Sequence, residues 1–356
     1  MADRSTVDLP SLQLIPGLPY DVSMRCLARI PPLYHPTLSL VCKSWSSAVR
    51  SDALFTARSP FRTTQAFLYF ILRINSSLHL YALLPCREPR KAVSLPSIPS
   101  APIGAAFAVL GRKIYVIGGS INDIPSNKVW IFDCWFNRWE MGPRMKVGRE
   151  FAAAGVVGGR IYVIGGCVVD NWVRSRNWAE IFDPVTDSWS ALPSPIDIKD
   201  KWMHASTVMD GKLYAVADRG GLVYNVGVGR WETIPKRLYM GWRGRPAVVG
   251  EVLYCYDCLG NIRGYDVRED GWKELKGIEK GLPRFLCGAT MASSEEKLCV
   301  TWERNGSSGK EAEIMCAQIK VGKDENGDMR GILLWSDMIL SGLKGSSVEH
   351  CIAVHM

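Results

Sequence analysis

A phrase that the chain repeats constrains its fold more than any other feature. Gly111-Arg112-Lys113-Ile114-Tyr115-Val116-Ile117-Gly118-Gly119 returns as Gly159-Arg160-Ile161-Tyr162-Val163-Ile164-Gly165-Gly166, and more weakly from Gly211 through Tyr214 and from Gly250 through Tyr254. The four tyrosines stand 47, 52 and 40 residues apart. Each copy is followed by an aromatic residue, an acid or amide and then a tryptophan: Phe132-Asp133 and Trp139, Phe182-Asp183 and Trp189, Tyr224-Asn225 and Trp231, Tyr265-Asp266 and Trp272. A fifth, degenerate unit with a longer internal insertion runs from Leu298 to Trp335. Short apolar strands with glycine at the turns and one tryptophan per unit, at a period of 40 to 50 residues, predict a β-propeller in which each unit is one blade. The inner strand of a blade is then apolar throughout because neighbours cover both its faces, and the tryptophan fills the wedge between blades.

The ends of this region set the blade number. Residues 64–98 hold three strand-like runs, a blade without its first strand, and residues 346–356 hold one strand without a blade. Joined, they remove two exposed edges and close the ring. Five continuous repeats (104–150, 151–203, 204–244, 245–285 and 286–343) plus this shared blade predict six blades over residues 64–356.

Ahead of the propeller, residues 14–58 read as helical, and residues 1–13 as a disordered tail. Val22, Cys26, Leu27 and Ile30 lie near helical spacing until Pro31-Pro32 interrupts. After Pro36, Leu38, Val41, Cys42, Trp45 and Val49 form a second apolar stripe. So small a segment cannot bury both stripes alone, so part of its apolar surface is expected to meet another protein.

Three elements of this segment, Leu18-Pro19, Ile30-Pro31 and Leu40-Val41-Cys42-Lys43-Ser44-Trp45, resemble an F-box in order and spacing, and the repeats behind it are of the kelch type. The whole of 14–356 is therefore similar to plant F-box/kelch proteins. One departure is Tyr20, where the family more often has Asp; Asp21 remains near the helix start. The resemblance implies that Leu18, Pro19, Val22, Leu27, Ile30, Pro31, Val41, Cys42, Lys43 and Trp45 dock a Skp-family adaptor, and through it the cullin and RING subunits of a ubiquitin ligase. It also implies that the propeller holds the protein to be ubiquitinated, with no catalysis by this chain. A scaffold, or a propeller that binds or converts a small molecule, would need the repeats but not the F-box.

Charge and motifs exclude other classes. The net charge of +8 sits mostly in residues 1–100, with 11 Lys and Arg against 5 Asp and Glu; the rest has 32 against 30, without the basic face that nucleic acid needs. The longest apolar run, residues 66–72, is too short to span a membrane. Prolines at 10, 16 and 19 and acids at 3 and 8 leave no room for a signal peptide. Eleven irregularly spaced cysteines, several in apolar stretches (Cys26, Cys42, Cys255, Cys299), read as reduced and buried, which fits the cytoplasm or nucleus. No phosphate loop or nucleophile elbow is present. Cys255-x-x-Cys258 lacks metal partners, and 324–328 matches a calcium loop only superficially, so no metal or cofactor is expected.

Loops joining one blade to the next share a face of a propeller, and loops carry function on a rigid scaffold. Here they supply Lys146, Arg149, Lys201, Trp202, His204, Trp242, Arg243, Arg245, Arg284 and Phe285, with Trp172 and Arg174 from a neighbouring loop. Such a basic, aromatic rim has the composition of a protein-binding surface and is the expected target site.

Overall fold

A computed structural model describes residues 13–58, 65–84, 88–167, 177–193, 203, 205–217, 220–257, 259–284, 286, 288–306 and 311–356. It divides into a small helical unit, residues 1–66 with the last two residues, and a large β unit, Phe67–Val354. The tail predicted at 1–13 lies, except for Gln13, outside the described residues.

The helical unit contains α1 (Tyr20–Ala28), a 3-10 turn (Pro32–Tyr34), α2 (His35–Leu38), α3 (Lys43–Val49) and α4 (Asp52–Arg58). Its core is Met24, Leu27, Ala28, Ala48, Val49 and Leu54, with Leu14 packed in from the preceding segment. The buried face of α1 is Ser23, Met24, Leu27 and Ala28, so the predicted stripe is rotated and Val22 and Cys26 are exposed. Ser23 can turn inward because its hydroxyl donates to the Pro19 carbonyl at 3.0 Å, which satisfies a polar group the core would otherwise penalise. The second predicted helix is broken at residues 39–42, where Cys42 caps α3 in extended conformation. Val41 consequently leaves the stripe for solvent.

Among the described residues the β unit holds six antiparallel four-stranded sheets and a small two-stranded hairpin, Ser120–Ile121 with Ile124–Pro125. Repeats one to four begin with the strands Ala106–Leu110, Ala153–Val157, Ala205–Met209 and Ala247–Val249, and repeat five with Thr290–Ser294. In the sixth, shared blade the C-terminal strand Ser346–His355 pairs with Ala66–Ile74, followed by Ser77–Leu83 and Ala92–Ser94. The ring is thus six-bladed and closed by the C-terminal strand, as the repeats predict. In the first three repeats full burial falls on the second strand of the blade and not the first. In Lys113–Ile117, Arg160–Ile164 and Lys212–Ala217 every residue after the first is buried, while the first strands border the channel and are buried only in part.

The repeated aromatics lock the blades. Phe132 and Trp139, Phe182 and Trp189, Tyr224 and Trp231, and Tyr265 and Trp272 pack ring against ring at 4.8 to 5.4 Å within each blade. Each of these tryptophans also donates its indole N–H to a carbonyl 35 to 46 residues upstream, from Pro96, Pro143, Pro193 and Arg237 in turn, and so ties an outer strand to the end of the previous blade. The Gly-Gly pairs are required twice over: Gly119 has φ +82°, and a Cβ there would meet Pro102 Cβ at 2.5 Å. Repeat five departs from the pattern. Its strands Ala312–Lys323 and Met329–Leu343 are long and bulged, which absorbs the insertion into the sheet, and Trp335 donates to the Gln318 side chain of its own blade instead.

Candidate functional site

Two surfaces carry the residues singled out from sequence. On the helical unit, the connection between α2 and α3 presents Leu40, 83% exposed, and Val41, 60% exposed, with Tyr34 and Tyr20 also open to solvent. Pro19, Val22, Val41, Cys42 and Lys43 are exposed, and Leu18, Ile30, Pro31 and Trp45 are half-buried. Leu27, by contrast, is 1% exposed and belongs to the unit's own core, so it supports the surface without forming it. Trp45 has a double role: its indole N–H donates to the Leu14 carbonyl at 2.5 Å, pinning the segment before Pro19 against α3. Leu40 belongs to the motif that resembles an F-box but was not among the expected docking residues, because it falls off the predicted stripe of Leu38, Val41, Cys42, Trp45 and Val49; Tyr34 and Tyr20 lie outside both stripes and carry no periodic signal.

Beneath this surface sits a polar core. Arg58, fully buried, donates to the carbonyls of Ala28 at 3.0 Å and Ile30 at 2.6 Å, and so caps the end of α1. His35 reaches the same Ile30 carbonyl, and burial, with the nearby Arg58 charge second, lowers its pKa to about 4. At the N-terminus of α3 the Cys42 thiol is held below its usual range by the Ser44 hydroxyl and the Trp45 amide. The expectation that Cys26 and Cys42 are buried fails, because the break in the second stripe and the rotation of the first turn both outward; Cys255 and Cys299 are buried as expected.

On the propeller, the predicted rim resolves into distinct classes. Lys146, Arg243 and Arg284 are exposed on the interblade loops. Arg149 is not a rim residue. Its side chain is 0% exposed, pairs with the equally buried Glu180 at 2.7 Å, and donates to the carbonyls of Gly165, Trp178 and Asn177. Glu180 in turn accepts from the Lys146 amide at 2.7 Å, so the pair fixes the loop between repeats one and two onto the next blade. Trp242 is also withdrawn, 3% exposed, within the cluster of Leu238, Leu253 and Tyr265. Trp172, Arg174, Lys201, Trp202, His204 and Phe285 lie outside the described residues, as does Cys258.

Beside Arg243 a groove of about 650 Å³ is lined by Tyr239, Met240 and Trp242 among others. Met240, 60% exposed on α5 (Lys236–Gly241), and the flanking Lys236 and Arg243 give this groove an apolar floor with cationic edges. Arg245 points elsewhere, into a cavity of about 440 Å³ at the start of the innermost strands. Among the described residues no cluster of His, Cys, Asp and Glu is arranged to hold a metal ion.

A helical module with an apolar loop exposed, ahead of a closed kelch ring with basic loops, defines an F-box protein with a kelch interaction domain. The family model of the FKB95, Kelch-repeats domain matches residues 69–340, and that of the F-box domain residues 15–56. F-box/kelch-repeat protein At4g39550 of Arabidopsis thaliana is 36% identical over 92% of this chain and 90% of its own length. F-box/kelch-repeat proteins At4g39580 and At4g33900 of the same plant are 32% and 33% identical, covering 98% and 93% of this chain and 96% and 93% of theirs. The chain belongs to the F-box/kelch-repeat family.

Proposed function

We propose that this protein is the substrate receptor of an SCF-type ubiquitin ligase. The F-box docks a Skp-family adaptor, which brings the cullin and RING subunits, and the loop face of the propeller holds the target. The observation that carries this reading is the solvent exposure of Leu40 and Val41 on the segment that matches the F-box, apolar side chains that the described residues of their own unit leave uncovered. The chain itself performs no chemistry in this scheme. It acts by proximity, holding a target lysine near the charged conjugating enzyme and so raising its effective concentration. This role places the protein in the cytoplasm or nucleus.

The test is capture of the full chain on purified Skp adaptor, with Leu40→Glu/Val41→Glu as the variant. Losing the burial of both side chains costs about 3 kcal/mol, roughly a hundredfold in affinity, before two carboxylates are desolvated. A variant with unchanged thermal unfolding and at least that loss supports the reading. Failure of the unaltered chain to bind any Skp adaptor refutes it. A triple Lys146→Ala/Arg243→Ala/Arg284→Ala variant is expected to keep the adaptor and to lengthen the lifetime of the target.

A further inference from the structure

The hairpins of the five continuous repeats share one register, and counting back from the turn locates equivalent residues. The pairs Leu110 with Lys113, Val157 with Arg160, Met209 with Lys212, Val249 with Val252 and Ser294 with Lys297 mark the same point in each blade. Four residues before it stand Ala106, Ala153, Ala205 and Thr290, all small, and in repeat four Arg245. Arg245 lines the cavity of about 440 Å³, at a register position where the other four repeats carry only a small side chain.

The Arg245 guanidinium is unspent. Among the described residues it makes no hydrogen bond or ion pair, and it lies over the face of Phe107, 5.7 Å from the ring centre. Glu349 is close enough to act on it through space, but its carboxylate is bonded at 2.6 Å to Arg73. His350 stands next to Glu349 on the C-terminal strand, edge-on to Phe107, and its buried Nδ1 has no hydrogen-bond partner among the described residues. Burial, then the charge of Arg245, keep the imidazole neutral well below its ordinary range. These groups keep some surface toward the channel yet are enclosed by protein around it, so an ion there is weakly screened. Phe107 and Phe151 supply apolar wall to the cavity, whose volume of about 440 Å³ suits a small organic ligand.

From this arrangement we infer that the channel mouth is a binding site for a carboxylate, received on the Arg245 fork with its apolar body against Phe107 and Phe151. Of the charged groups lining the cavity, Glu349 is already paired with Arg73, so Arg245 leaves one positive charge to be matched by a single negative one; a dianion such as a phosphate monoester would meet Glu349. A planar carboxylate also matches the guanidinium in bidentate fashion. The acid can be a free molecule or an Asp or Glu side chain of a docked protein, and the inference stands whether or not the F-box engages an adaptor.

The test is calorimetric titration of the full chain with phenylacetate, with its neutral isostere phenylacetamide, and with the capped peptide acetyl-Gly-Glu-Phe-Gly-amide beside its Gln counterpart. Either acid is expected to bind about tenfold or more tightly than its amide. That preference should vanish in Arg245→Gln and persist in Arg243→Gln. Binding of phenylacetate identifies a free acid as the occupant; binding of the peptide alone identifies a side chain. Should Arg245→Gln unfold, protection of Arg245 from phenylglyoxal by the acid, read by mass spectrometry on the unaltered protein, decides the matter. No binding of either acid, equal binding of acid and amide, or binding indifferent to Arg245 would overturn the inference.

Discussion

The buried pair of Arg149 and Glu180 separates a strut from a contact residue. Arg149→Ala removes a positive charge from a site where both side chains are 0% exposed, leaves the Glu180 carboxylate without its counter-ion, and takes donors from three carbonyls. Breaking a buried pair from one side costs about 3–5 kcal/mol. In a domain of this size each kcal/mol lowers the midpoint by about 2–4 °C, so a fall of roughly 6–20 °C is expected. Urea unfolding followed by tryptophan fluorescence measures the free-energy loss and a thermal melt on the same signal the midpoint, since Trp178 and Trp189 lie in the blade that Arg149 braces. The double variant Arg149→Met/Glu180→Leu should recover more than about 1.5 kcal/mol relative to the sum of the single variants, because neither charge is then stranded. An Arg149→Ala protein within about 0.5 kcal/mol of the original, with weakened target binding, would refute the argument and return Arg149 to the rim.

The same reasoning extends to three further perturbations. Gly119→Ala, where φ is +82° and the new Cβ meets Pro102 at 2.5 Å, should cost about 3 kcal/mol or more, whereas Gly111→Ala, at φ +59° with nothing within 4 Å, should cost only about 1–2 kcal/mol; paired urea curves check the difference. Acid should weaken the F-box through His35. Its folded pKa of about 4 lies below its unfolded value of 6.5, so the unfolded state binds the proton first, and stability present above pH 6.5 is lost as pH falls toward 4, by up to about 3 kcal/mol. Thermal midpoints of the full chain and of His35→Gln from pH 4 to 7 should converge at the acid end. Trp189→Phe keeps the ring contact with Phe182 but loses the bond to the Pro143 carbonyl, and should cost about 1–2 kcal/mol in the same urea assay.

The ring was legible in the sequence because each blade repeats the same physical problem. Glycine at the turn, an apolar second strand and a tryptophan 24 to 27 residues after the repeat tyrosine, or 17 to 18 in the later units, recur with enough fidelity to be counted. The F-box was legible as motifs but not as a surface. Ser23 reads as a polar, outward position until its bond to Pro19 is known, and Val41 and Cys42 read as part of a buried stripe until the chain breaks between α2 and α3. For the loop face, composition suggested cations without saying which way they turn. Nothing local distinguishes Arg149, whose partners are 16 to 31 residues downstream, from Arg243, which bonds its own neighbour. Arg245 did carry a signal: aligned by hairpin register, it is the one large side chain in a column of alanines and a threonine.

Closure of the ring by its last strand also sets a timetable. Arg73 and Glu349, the ion pair across the seam, are 276 residues apart, which at 5–20 residues per second separates their emergence from the ribosome by roughly 15–55 s. Throughout that interval the strand Ala66–Ile74, with six consecutive side chains destined for the interior, has an unpaired edge. A bare apolar edge is the template on which chains pair wrongly, so the newborn chain is open to mispairing for about as long as its synthesis takes. Loss of Ser346–His355 would make that transient state permanent.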